Sequence, residues 1–252
     1  MKLLLIPVSI LAVSLLLLAG MAERGFERSV ELTGGTQITV YDYVPEEKIE
    51  KVLPGASVRY TTGLKKTTII ELPPGAEIPE LDFGDYTVRT VGPALGEKFF
   101  EQAKTALVIA FLFMGLLIFL IFRSPLPSFY VILAAAADIV EAFVASQLLG
   151  IKFSLPVLAA LLLLIGYSVD TDILLTTRVL RSSEPVEERF RGALKTGLTM
   201  TLTTIGVLAA LLLVSGSQVL TEIAAVLLLG LLFDLINTWL LNAVLLKWYV
   251  KR

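Results

Sequence analysis

The 252-residue sequence contains no cysteine and no histidine. Zinc thiolate sites, imidazole relays, cysteine nucleophiles and disulfides are therefore excluded. Charge is scarce too: Asp, Glu, Lys and Arg make up 17% of the chain, against about 25% in a soluble globular domain. The formal net charge is only -2, and basic residues gather only at the ends of apolar runs, so no nucleic-acid partner is indicated. No glycine-rich loop leads into a helix as a phosphate cradle requires, so nucleotide binding and cofactors have no support.

Apolar residues are abundant, at 56% of the chain with a mean hydropathy of +0.81. A helix needs about 20 residues to cross a hydrocarbon core. Six spans are expected, at roughly 3–20, 104–122, 129–149, 155–176, 197–214 and 219–246. The first could be mistaken for a secretory signal, but its apolar stretch exceeds the usual 7–15 residues and reads as a retained helix. It begins so near Met1 that a trimmed N-terminal tail stays open. The last is long enough to tilt or overhang the bilayer.

Orientation follows from the basic residues near the span ends. With the N-terminus inside, cytoplasmic segments hold Lys2, Arg123, Arg178, Arg181, Arg189, Arg191, Lys195, Lys247, Lys251 and Arg252. The short outer loops hold only Lys152. Both termini are therefore expected in the cytoplasm. The division is a first span over 1–22, an extracytoplasmic domain over 23–102, and a five-helix bundle over 103–252 with a cytoplasmic loop at 177–196. Within that loop, Val186 to Leu194 fits a short amphipathic helix lying at the membrane interface.

The outer domain is expected to be a small α+β module. Ser29–Leu32 and Thr36–Tyr43 read as strands, with Gly34-Gly35 turning between them. Pro45 starts a helix, followed by acidic residues in its first turn. Ser57–Thr62 and Thr67–Leu72 read as a hairpin across residues 63–66, and Tyr86–Val91 as a last strand before Gly92-Pro93. At about 75 residues the core of such a module is marginal, so packing against another chain or domain would help.

Five carboxylates lie inside the apolar spans: Asp138, Glu141, Asp170, Asp172 and Asp234. No Lys or Arg shares those segments, and charge in hydrocarbon is costly, so such groups mark ion paths or partner contacts. Three accounts compete. Some acids stay neutral when buried, some pair with cations from a partner's helices, and some reach headgroups. Asp138 and Glu141, three apart, share a face, whereas Asp170 and Asp172 face different neighbours. Asp234 shares a face with Asn237, and a hydrogen bond between them is the plain structural reading. Thr196, Thr199 and Thr203 form a hydroxyl stripe, a pattern that usually reflects packing. Gly166 marks close helix contact or a local bend.

Several segments resemble the SecF branch of the SecD/SecF protein-export family in its archaeal form. They are Leu32-Thr33-Gly34-Gly35-Thr36, the stretch from Val91 through Gly92, Pro93, Ala94 and Leu95 to Gly96, and Gly166-Tyr167-Ser168-Val169-Asp170-Thr171-Asp172 running on to Arg178. Thr201-Leu202-Thr203-Thr204 also fits, and order and spacing agree across nearly the whole chain. The resemblance implies half of a resistance–nodulation–division (RND-type) unit, a polytopic α-helical membrane protein with six transmembrane helices and an α+β domain after the first. It implies pairing with SecD, association with a SecYEG-type channel, and assistance to unfolded secretory polypeptides crossing the lipid bilayer, coupled to protons. Thr171 stands where bacterial chains carry an intramembrane acid. Thr196, with Lys195 adjacent, stands where they carry an arginine.

The expectation is a non-enzymatic membrane subunit, with Asp138, Asp170 and Asp172 as leading candidates for proton or partner coupling. A small-molecule exporter of the same architecture, a passive scaffold and an intramembrane aspartate enzyme are the competing readings.

Overall fold

Proline opens three of the long helices. It occupies the first turns of α4 (Pro93–Phe122), α5 (Pro125–Leu148) and α6 (Leu155–Arg181), where a missing N–H costs nothing. Together with α1 (Leu5–Arg24), α7 (Val186–Val214) and a last span over Gln218–Lys251, they give six helices long and apolar enough to cross a membrane. The structure, a computed structural model, describes residues 2–61, 66–79 and 81–251.

The last span has three parts. α8 (Gln218–Ile236) passes into a π-helical turn over Asn237–Asn242, and α9 (Ala243–Lys251) completes it. α5, α6 and α8 pack closely on one another and form the centre of the bundle. α1 and α4 lie at its periphery, each with only a few buried side chains.

Between α1 and α4 sits the outer domain. Its strands β1 (Gly35–Val40), β2 (Ser57–Tyr60), β3 (Thr68–Leu72) and β4 (Tyr86–Val91) form an antiparallel sheet in the order β2-β3-β1-β4. Helix α3 (Glu46–Val52) follows Pro45 and covers one face. Alternation along the strands sorts the residues. Ile38, Val40, Ile70 and Leu72 meet Ile49 and Leu53 in a buried core, while Gln37, Arg59 and Glu71 face the bundle. The hairpin pairing of β2 with β3 is as expected, and its tip, residues 62–65, lies outside the described residues.

Three local expectations are corrected. Ser29–Leu32 is not a strand but the start of a helical turn, α2 (Val30–Thr33). The Ser29 carbonyl accepts from Leu32 N and Thr33 N, and Gly34, at φ 80, ends the turn against the start of α4. Val186–Leu194 is no separate interfacial helix. It is the first third of α7, whose opening turn carries Glu187 and Glu188 at the favourable end of the dipole. Since α6 runs on to Arg181, the inner connection shrinks from 177–196 to residues 182–185. Within this chain a Cβ on Gly166 would meet nothing within 4 Å, and α6 continues through it.

Candidate functional site

Four of the five intramembrane carboxylates converge. Asp138, Glu141, Asp172 and Asp234 are each no more than 1% exposed, and all project among α5, α6 and the last span. Asp138 and Glu141 share a face of α5, as their spacing implies, and one side chain joins them. Asn237 Nδ2 donates to Asp138 Oδ1 and to Glu141 Oε2, both at 2.8 Å. Ser168 Oγ donates to Asp138 Oδ2 at 2.5 Å. Asp172 Oδ1 accepts from Asn242 Nδ2 at 2.7 Å, and Asp234 Oδ1 accepts from Thr238 Oγ1 at 2.9 Å. Asp234 lies close enough to interact electrostatically with both Asp138 and Asp172. The expected bond between Asp234 and Asn237 does not form, because Asn237 turns to α5 instead.

The π-helical turn explains this arrangement. Asn237 and Asn242 are five apart, which on an α-helix separates them by about 140°. The wider π winding brings Asn237, Thr238 and Asn242 inward together, so one short turn supplies a donor to every acid in the cluster. Such turns recur at functional positions. Helical periodicity hides Asn242 for this reason, Thr238 carries no signal above background, and Ser168 stands out only as part of the segment from Gly166 to Asp172. Several acceptors stay unpartnered among the described residues: Glu141 Oε1, Asp172 Oδ2, Asp234 Oδ2, Asn237 Oδ1 and Asn242 Oδ1. No Lys or Arg forms a salt bridge with any of these four acids among the described residues.

The remaining candidates lie elsewhere. Asp170 is exposed on the outer side of α6, beside Leu163, Gly166 and Tyr167, because two residues turn a helix by about 200° from Asp172. Thr196, Thr199 and Thr203 are exposed and donate to the carbonyls four residues back, as packing threonines do. Lys195 is exposed near the inner end of α7, and Arg178 lies across Gly192, where a Cβ would press on its guanidinium. The glycine motifs hold the outer domain to the bundle. A Cβ on Gly96 would stand 2.5 Å from Gly34 N, and one on Gly34 would stand 2.5 Å from Pro93 Cα. Gly35, at φ 134, lets the chain enter β1 under Val30, while Gly92 caps α4.

A second polar cluster joins the sheet to the helix ends. Arg59 on β2 pairs with Glu71 on β3 and lies 3.7 Å from Glu222 on α8. Lys152, between α5 and α6, pairs with Glu71 at 2.6 Å. Glu222 also accepts from Ser154 Oγ and Gln218 Nε2, and Gln37 on β1 bonds Gln218. Arg89 pairs with Glu31, whose other oxygen accepts from Leu155 N. These residues are far apart in sequence and have no shared period, so pattern could not bring them together.

Residues 76–252 match the family described as protein export membrane protein SecD/SecF, C-terminal. A protein-export membrane protein SecF of Methanocaldococcus jannaschii is 41% identical over 98% of this chain and 94% of its own length. The chain belongs to the SecD/SecF family. The SecF of Methanothermobacter thermautotrophicus is 39% identical over 98% of the chain and 91% of its own length. The crystal structure of SecDF from Thermus thermophilus superposes with a TM-score of 0.73 at 23% identity, over 98% of this chain and 38% of that one. That likeness shows the fold: six spans with a small α+β domain between the first two. As a SecD/SecF family member the chain is a multi-pass membrane transport component.

Proposed function

We propose that this chain is an accessory subunit of the Sec protein-export machinery, that it pairs with a SecD subunit, and that its buried acids couple proton flow to export. Kinship with SecF proteins along nearly the full length supports the first two statements. One observation carries the third: four buried carboxylates, three of them with an unpartnered oxygen, sit at membrane depth without a countercharge among the described residues. Fixed anions there are costly, so protonation or an incoming cation must meet them during the working cycle. Asp170, on the outer face of α6, is the acid placed to meet the SecD subunit. The assembled pair works beside a SecYEG-type channel on unfolded secretory polypeptides.

The test is export into inverted vesicles containing the chain with its SecD partner and channel. Asp138→Asn and Asp172→Asn are each expected to abolish the stimulation that a proton gradient gives, while gradient-independent export continues. Full stimulation in both variants would sink the coupling.

A further inference from the structure

Glu141 lines an opening in the bundle wall.

Between α1 and α5 runs a groove of about 330 Å³, lined by Ser9, Val13, Ser14, Leu17, Leu148 and Glu141 among others. Directly outward lies a second cavity of about 400 Å³, which shares Leu17 and Leu148 and adds Arg24, Glu27 and Gln147. The outer cavity has room for several waters, at about 30 Å³ apiece, whereas the inner groove is mostly apolar, with Ile10, Val144, Ala145 and Phe233 also in its lining. The outer cavity is polar enough to be wet, and Leu17 and Leu148 line both spaces where they adjoin. Beyond them the groove ends at Glu141, whose Oε1 has no partner while Oε2 is held by Asn237.

We propose that protons enter from the outer face between α1 and α5 and reach Glu141 first, inside this chain's own bundle. This rests on the coupling reading above and adds the route and the receiving atom, Glu141 Oε1. The groups facing Glu141 are Asn237 from the last span, Asp138 a turn away on α5, and Ser9 and Ser14 from α1, which brings no charge to this depth. The loose seating of α1, with only Pro7 and Ser14 buried, allows the groove between α1 and α5 to widen. One proton is taken up and passed on, with no change in electrons.

The chain has no native cysteine, so single thiols report access directly. Ser14→Cys, Glu27→Cys and Leu112→Cys would be made in the chain assembled with its SecD partner in right-side-out vesicles. A charged, membrane-impermeant methanethiosulfonate is then added outside. Such reagents need a thiolate, so Leu112→Cys, on the lipid-facing side of α4, is expected to react at least about 100-fold more slowly than Glu27→Cys. Ser14→Cys should fall within about 10-fold of Glu27→Cys, and its modification should remove gradient-stimulated export. Ser14→Cys as inert as Leu112→Cys would overturn the route and leave lipid as the groove's occupant. Glu141→Gln is expected to lose the stimulation and Glu141→Asp to recover part of it. Full stimulation in Glu141→Gln with loss in Asp172→Asn overturns the entry point alone. Full stimulation in all the acid variants overturns the coupling on which it rests.

Discussion

Asn237 gives one amide group to two buried carboxylates. Replacing it with alanine would strand Asp138 Oδ1 and Glu141 Oε2 together, since neither has another donor to that oxygen. Leaving a buried polar group unpaired costs about 1–3 kcal/mol, and more for a charged one. Asn237→Ala is therefore expected to lower thermal stability in detergent by at least that much, and an unchanged melting curve would show that Asp138 and Glu141 do not depend on it. Gly96 is limited by space instead of polarity. Its absent Cβ leaves room for the Gly34 backbone, so Gly96→Ala must push α2 off α4. Overpacking of this kind costs about 1–3 kcal/mol. Faster proteolytic release of the outer domain in Gly96→Ala is the expected sign, and equal resistance to protease would contradict it. The sequence marked Gly96 and Gly34 as important without showing that they touch. That contact joins positions sixty-two residues apart, which no local pattern encodes.

At the scale of elements, α6 divides its acids between two environments. Asp172 turns into the bundle to Asn242, and Asp170 turns out. Helical spacing made that separation legible, but not which of the two faced inward. Apolar residues surround both, so only the packing of α5, α7 and α8 against α6 fixes the choice. The two should fail differently. Asp170→Asn is expected to reduce copurification of the SecD partner while changing the chain's own stability by less than about 0.5 kcal/mol, as exposed substitutions do. Asp172→Ala should shift the melting temperature of the isolated chain and leave partner recovery intact. The opposite assignment of effects would mean that the face of α6 has been misread. The π-helical turn is the element that sequence could not announce. Asn, Thr, Trp and Leu in Asn237–Asn242 suit an ordinary helix, and the wider winding is set by what those side chains meet.

In the whole molecule, the outer domain and the bundle act as one body through Arg59, Glu71, Lys152 and Glu222. β2 and β3 contribute the first two, the α5–α6 connection the third and α8 the last. These groups are mostly shielded, so the pairs matter more than exposed ones, and removing one partner strands another. A double-mutant cycle on Arg59→Ala and Glu222→Gln is expected to give a coupling of about 0.5–3 kcal/mol, read from thermal unfolding of the intact chain. Strict additivity would mean that the sheet rests on the helix ends without being held there by charge. This junction supplies the support that a module of about 75 residues was expected to need.

Hydropathy, breaker residues and the bias of basic side chains were enough to determine six spans, their order and an α+β domain after the first. Each depends on energies local in sequence: transfer of about 20 apolar residues, a proline's missing N–H, alternation along a strand. Which acids meet, which face of α6 turns inward, and that Ser29–Leu32 winds as a helix were decided only in three dimensions. Those outcomes depend on contacts between distant segments, where burial leaves a carboxylate no water and makes it take whatever donor the neighbouring helix brings.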